Sequence, residues 1–243
     1  MNLQRFIRLL NRILREGVVH GLHIPCFFVY SKSVKEGNHM KKMISMCLAA
    51  SLLAGCGSAT HDEMNQTENL TITNTVELES TPNDMSGYSW LVGEVGTFNE
   101  ITLEESVRLF AEGGTGVIYY GYVGCEWCER ALPELNKVMV ELDLPVYYVD
   151  ASVQPADDTY DNLLTYVEDD LKKDDSGEPA FYVPYVVGVK NGKLTESQIA
   201  LVSGYSVKKP GTLDPSDQMS DAQKKQLQDI YKDIFRSVAD EQK

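Results

Sequence analysis

Gly116-Val-Ile-Tyr-Tyr-Gly-Tyr-Val-Gly-Cys125-Glu-Trp-Cys128-Glu-Arg-Ala-Leu-Pro133 changes its hydrophobic period partway along. Gly116 to Tyr120 is β-branched and aromatic, the composition of a buried strand. Gly121 and Gly124 then allow a turn. From the cysteines onward the apolar residues recur at helical spacing, and the spacing predicts a helix to about Leu142. The stretch therefore delivers two thiols, three positions apart, to the first turn of a helix. Unpaired backbone N–H groups and the helix dipole favour an anion there, and the thiolate is the reactive form of cysteine. Cys125 is the expected nucleophile. Cys128, one turn further in, is expected to be the more buried of the two.

Outward from this unit, strand and helix patterns alternate. Thr102-Leu-Glu-Glu105 reads as a capping box opening a helix to about Glu112, closed by Gly113-Gly114. Pro145 to Val149 predicts a strand. An acidic helix is expected near Asp158–Leu171, with Tyr160, Leu163, Leu164, Val167 and Leu171 on one face. Phe181 to Val189 predicts a strand interrupted by Pro184. Asn191-Gly192 predicts a hairpin turn into a strand around Gln198–Val202. Ser220 with Gln223 caps a last helix to about Ala239, in which Leu227, Ile230, Tyr231, Ile234, Phe235 and Val238 recur at helical spacing. The order implies an α/β domain, a central mixed sheet flanked by helices.

Over roughly Thr97 to Ala239 the chain resembles the thioredoxin superfamily. Three features carry the likeness: the CxxC at a strand-to-helix junction, Pro133 eight residues after Cys125, and Val183-Pro184-Tyr-Val-Val-Gly-Val-Lys-Asn-Gly-Lys. The run Gly116–Pro133 is most similar to thioredoxin-like lipoproteins of Gram-positive bacteria and bacteriocin transport accessory proteins. The resemblance implies a thioredoxin-like fold and thiol–disulfide exchange at a redox pair Cys125/Cys128. It also implies a kink at Pro133, and a cis Val183–Pro184 bond at which the Val183 backbone pairs with a bound peptide. One departure stands out: thioredoxins carry a buried acid six positions before the first cysteine, where this chain has Tyr119. Glu126, a negative charge beside the nucleophile, disfavours its thiolate and tilts the expected direction towards reduction or exchange. Trp127 reads as an apolar docking surface beside the site or as core.

Sorting the cysteines sharpens this. Met40-Lys-Lys-Met-Ile-Ser-Met-Cys-Leu-Ala-Ala-Ser-Leu-Leu-Ala-Gly-Cys56 has a positive start, an apolar run too short to span a bilayer, and small residues before a cysteine. Leu53-Ala54-Gly55-Cys56 resembles the lipobox of bacterial lipoproteins, which implies lipidation of Cys56 and removal of a signal peptide at 40–55. The competing reading is a secretory signal with a chance cysteine. Cys26 lies in residues 1–39, which read as leader from a misplaced start: Glu36-Gly37 demands a purine-rich, ribosome-binding-like codon run just before Met40. The alternative for 1–39 is an amphipathic surface helix. Cys47 falls in the signal peptide. Residues 56–86, rich in Thr, Asn, Glu and Ser, are expected to be a flexible tether, and 87–243 the folded domain. Only Cys125 and Cys128 then remain in the domain. No histidine accompanies them, so a metal site is not expected, nor any other cofactor.

From Cys56 onward 14 basic residues face 34 acidic ones, a charge of about −20. That excludes a nucleic-acid footprint. The expected activity is a membrane-anchored, extracytoplasmic thiol–disulfide oxidoreductase. Its expected partners are protein thiol or disulfide substrates, a membrane or extracytoplasmic electron donor, and the cell membrane itself through Cys56. The alternative is a non-catalytic accessory or binding lipoprotein, such as a bacteriocin export accessory, that uses the same fold for interaction.

Overall fold

The computed structural model describes residues 69–155, 158–175 and 177–241. The leader, the signal peptide, Cys26, Cys47 and Cys56 lie outside them. Strands run at β1 Thr81–Asn83, β2 Phe98–Glu100, β3 Gly116–Gly121, β4 Val146–Asp150, β5 Tyr185–Lys190 and β6 Lys193–Ile199. Helices are α1 Leu103–Ala111, α2 Glu126–Leu142, α3 Thr159–Val167 and α4 Asp221–Val238. The strands form one mixed sheet in the order β1-β2-β4-β3-β5-β6. β2, β4 and β3 are parallel neighbours, whereas β1 on β2, β5 on β3 and β6 on β5 are antiparallel.

β3 sits in the middle, and all six of its residues are buried. Because side chains alternate across a strand, it feeds two cores. Val117 and Tyr119 join Val146 and Tyr148 of β4 and Val186 of β5 beneath α2 and α4. Ile118 and Tyr120 join Val149, Tyr185, Val187 and Val189 beneath α1 and α3. α4 buries Leu227, Tyr231, Ile234, Phe235 and Val238 on one stripe. Each such burial contributes about 1.5–3 kcal/mol, well above the propensity differences between its residues. Gly188 lets α4 approach: a Cβ there would meet Val238 Cγ1 at 2.9 Å.

Several boundaries differ from the sequence reading. Asn191 and Gly192 adopt φ of 51° and 73°, both left-handed, as a two-residue turn requires. Such a turn leaves no slack, so β6 pairs at once, Lys193 against Lys190, and ends at Ile199 instead of occupying Gln198–Val202. β5 begins only at Tyr185, because Pro184 has no N–H to donate. α3 stops at Val167, and turns carry the chain on to buried Leu171. At α1 only half of the capping box forms. Thr102 Oγ1 accepts from the Glu105 N–H at 3.2 Å, but the Glu105 carboxylate accepts from the Glu79 N–H and from Arg108 instead. At α4 the box is complete.

The folded part also reaches back into the expected tether. Thr81–Asn83 is the edge strand β1, Leu70 and Ile72 pack against the α2/α4 core, and Leu78 packs on the other. The Asp240 N–H donates to Thr71 O at 2.8 Å, joining this segment to the chain's other end. Apolar residues at alternate positions were hidden there by polar company.

Candidate active site

The site begins where β3 ends. Ala151 N–H donates to Gly121 O at 2.9 Å, after which Gly124, at φ +88°, turns the chain into α2. Cys125 is the N-cap of that helix, in extended geometry, and its own sulfur is the capping acceptor: the Cys128 N–H donates to Cys125 Sγ at 3.2 Å. The first-turn position expected for Cys125 is thus sharpened to the cap itself, where the N–H groups converge. Both cysteines are buried, at 1% and 0% exposure, so burial does not separate them as expected. Position on the helix does. The rim is apolar: Val123 is 53% exposed, while Tyr122, Trp127 and Val183 are partly buried against the same core. The Val183–Pro184 bond is cis, and Pro184 is buried beside the start of β5. Pro133 lies inside α2.

Glu126 does not project freely beside Cys125. It is buried, its Oε2 accepts the Gly211 N–H at 2.9 Å, and its backbone O accepts from Arg130 Nη1 at 2.7 Å. Arg130 is buried as well. Its Nε donates to Tyr205 Oη and to Asp217 O, its guanidinium lies over the Trp90 ring at 4.9 Å, and Asp217 provides the countercharge at 3.6 Å. Glu126 and Arg130 thereby fasten the loop after β6, residues 200–219, across the first turns of α2. Glu129, also buried, accepts the Trp90 N–H at 3.0 Å. A groove of about 610 Å³ along α2, lined by Trp90, Arg130, Pro133 and Asn136 among others, includes neither cysteine.

Beneath the cysteines lie four tyrosines that the sequence reading did not connect: Tyr88, Tyr119 from β3, Tyr148 from β4 and Tyr231 from α4. All four share the core cluster of Cys125 and Cys128. Tyr119 stacks on Tyr148 at 5.9 Å, and the hydroxyls of Tyr88 and Tyr148 are 3.4 Å apart. The Tyr231 hydroxyl is buried without a hydrogen-bond partner, and the buried Tyr119 hydroxyl has no hydrogen bond of normal geometry, only a weak contact with that of Tyr88. Burial pushes the ionisation of all four up, Tyr148 to about 12. Negative charge on Cys128 adds to the rise at each. The tyrosines are therefore neutral hydroxyls at any physiological pH. Only strand alternation could have signalled the grouping, by placing Tyr119 and Tyr148 on one face; Tyr88 and Tyr231 arrive from distant segments.

Among the described residues, no group of three His, Cys, Asp or Glu is arranged to hold a metal ion, and no helix is long and apolar enough to cross a membrane. No protein-family model matches the chain, and no curated protein matches it either.

Proposed function

We propose that this chain is a thiol–disulfide oxidoreductase of thioredoxin-like fold, held at the extracytoplasmic face of the cell membrane through Cys56 and acting on protein disulfides. The observation that carries the reading is the N-cap sulfur. Cys125 Sγ accepts the Cys128 N–H at 3.2 Å at the positive end of a long helix, with the second thiol one turn away. That is an environment in which a thiolate is favoured and a resolving thiol is at hand.

In the first step Cys125 thiolate attacks one sulfur of a substrate disulfide. A mixed disulfide forms, and the substrate's other sulfur leaves as a thiolate that takes up a proton. Cys128, having lost its proton, then attacks Cys125 Sγ. The mixed disulfide breaks, the Cys125–Cys128 disulfide forms, and the substrate departs with both sulfurs reduced. The protein dithiol is oxidised by two electrons, which an extracytoplasmic dithiol donor must restore. Val183, beside the cis bond, supplies backbone for pairing with the substrate strand, and Val123 and Trp127 supply apolar contact. The Glu126 carboxyl, on the residue next to Cys125 and tied to the Gly211 N–H, supports the reducing or exchanging direction.

The test is reduction of insulin disulfides by the full-length protein with dithiothreitol as donor, alongside equilibration in glutathione buffers. Catalysis that disappears in Cys125→Ser, with covalent trapping of substrate proteins by Cys128→Ser, is expected. A normally folded wild-type protein whose two cysteines neither catalyse exchange nor form a disulfide in any glutathione buffer overturns the reading.

A further inference from the structure

Buried hydroxyls without a partner are rare, because each forfeits its hydrogen bonds to water. Three tyrosine hydroxyls among the described residues lack a hydrogen bond of normal geometry: Tyr119, which has a weak contact with the Tyr88 hydroxyl, Tyr120, which has one with Ser106, and Tyr231, which has neither. Tyr120 faces the α1/α3 side, against Phe181 and Tyr185, far from either thiol in the layering of the fold. The other two lie on the α2/α4 side with Cys128, one from the sheet beneath it and one from the helix packed against α2. Tyr119 is also held firmly. Its ring stacks on Tyr148, and Gly121 leaves the space its hydroxyl occupies: a Cβ at Gly121 would stand 2.5 Å from Tyr119 Oη.

We propose that the Tyr119 and Tyr231 hydroxyls form a donor pocket for the Cys128 thiolate, so that the unpartnered Tyr231 hydroxyl and the weakly partnered Tyr119 hydroxyl gain an acceptor when Cys128 ionises to resolve the mixed disulfide. This rests on the oxidoreductase reading and deepens it. In the resolving step the Cys128 S–H gives its proton to solvent, directly or through the Tyr88–Tyr148 hydroxyl pair. The thiolate then gains O–H donation from Tyr119 and Tyr231 before attacking Cys125 Sγ. Neither tyrosine changes its own proton count, and the electron pair moves from Cys128 sulfur into the new S–S bond. Burial suits the task, since it keeps both phenols protonated as donors.

The other ionisable groups facing this pocket are Cys125 on α2, Tyr88 on the preceding segment, Tyr148 on β4, with Glu100 and Asp150 acting on Tyr148, and Glu134 acting on Tyr231. The pocket is thus read out at Cys128 itself. In full-length Cys125→Ser protein, the Cβ carbon shift of ¹³C-labelled Cys128 followed against pH reports its thiolate fraction without any substrate. Adding Tyr119→Phe or Tyr231→Phe is expected to lower that fraction about tenfold at a fixed alkaline pH. With Cys125 restored, each variant is expected to slow resolution of a preformed mixed disulfide similarly while leaving the first attack by Cys125 within about twofold. Tyr120→Phe, which removes the buried hydroxyl on the other face, is expected to change neither.

An unchanged thiolate fraction in both variants overturns the pocket, as does an equal change in Tyr120→Phe. The two readings fail separately. Wild-type protein without exchange activity but with the Tyr119 and Tyr231 effects on Cys128 overturns the enzymatic reading alone. Exchange activity without those effects overturns the pocket alone.

Discussion

The Gly211 N–H donates to Glu126 Oε2 at 2.9 Å, joining the loop after β6 to the residue between the two cysteines. A hydrogen bond to a buried charged acceptor contributes about 1.5–3 kcal/mol. Glu126→Ala removes the acceptor, while the anchors of the same loop at Arg130 remain. Hydrogen exchange at the Gly211 amide is therefore expected to speed up at least tenfold, with the change confined to the loop and smaller in Glu126→Gln, which retains a carbonyl oxygen. Unchanged exchange at Gly211 would show that the contact does not hold the loop.

Arg130 is the stronger anchor. Its side chain is 1% exposed, with four polar or aromatic partners drawn from Glu126, Tyr205, Asp217 and Trp90. Truncation to Ala leaves Asp217 without its countercharge and opens a cavity under the loop. Breaking one side of a buried pair costs about 3–5 kcal/mol. Urea denaturation of Arg130→Ala is expected to show a loss of that order, and a loss below about 1 kcal/mol would place the loop outside the cooperative fold.

The sulfur of Cys125 both caps α2 and is the proposed nucleophile, and two substitutions separate these tasks. Serine is a favoured N-cap, so Cys125→Ser keeps an acceptor for the Cys128 N–H and is expected to fold with wild-type stability but no exchange activity. Cys125→Ala loses the acceptor and about 1 kcal/mol in addition. Thermal or urea unfolding of the two variants distinguishes them: equal stability would mean that the sulfur contributes nothing as a cap.

The order of elements around Gly116–Pro133 was legible because a continuous β-branched and aromatic run gives way there to apolar residues at helical spacing, and Ser220 with Gln223 marked the start of α4. Phe98–Glu100 and Thr81–Asn83 were not, since three residues carry no period, and β1 sits in a stretch whose composition is that of a linker. That both cysteines stand at the start of a helix could be read from the stretch itself. What surrounds them could not: Glu126 pairs with Gly211, 85 positions away, and Tyr88, Tyr119, Tyr148 and Tyr231 meet only through the sheet and α4. Local patterns report elements, whereas a pocket assembled from four of them is a property of the packing.

Gly121 belongs to that packing. A Cβ at this position would lie 2.5 Å from Tyr119 Oη and 2.6 Å from its Cζ, and Tyr119 is fully buried against Tyr148. The ring has nowhere to go. Gly121→Ala is expected to destabilise by about 1–3 kcal/mol, the usual cost of overpacking. The double variant Gly121→Ala/Tyr119→Leu, in which the clashing ring end is gone, is expected to cost less than the two single changes combined. Additivity in that cycle would locate the strain elsewhere.

The four tyrosines, with the buried Tyr120 and Tyr185, also contribute to how the fold responds to alkali. Unfolded tyrosines ionise near pH 10, whereas burial raises all four, Tyr148 to about 12. Between about pH 10 and 12 the unfolded chain has therefore released protons that the folded one retains. Stability then falls as pH rises, by up to about 1.4 kcal/mol per pH unit for each such tyrosine, and below that window these groups contribute no slope. The urea midpoint is expected to be insensitive to the tyrosines at pH 8 and to drop steeply by pH 11, with the buried tyrosinate absorbance near 295 nm appearing together with unfolding rather than before it. Tyr231→Phe removes one titrating group and is expected to flatten the slope by about a quarter of the four tyrosines' share. Tyrosinate absorbance from these four residues in protein that is still folded at pH 10.5 would mean that water reaches the hydroxyls beneath Cys128.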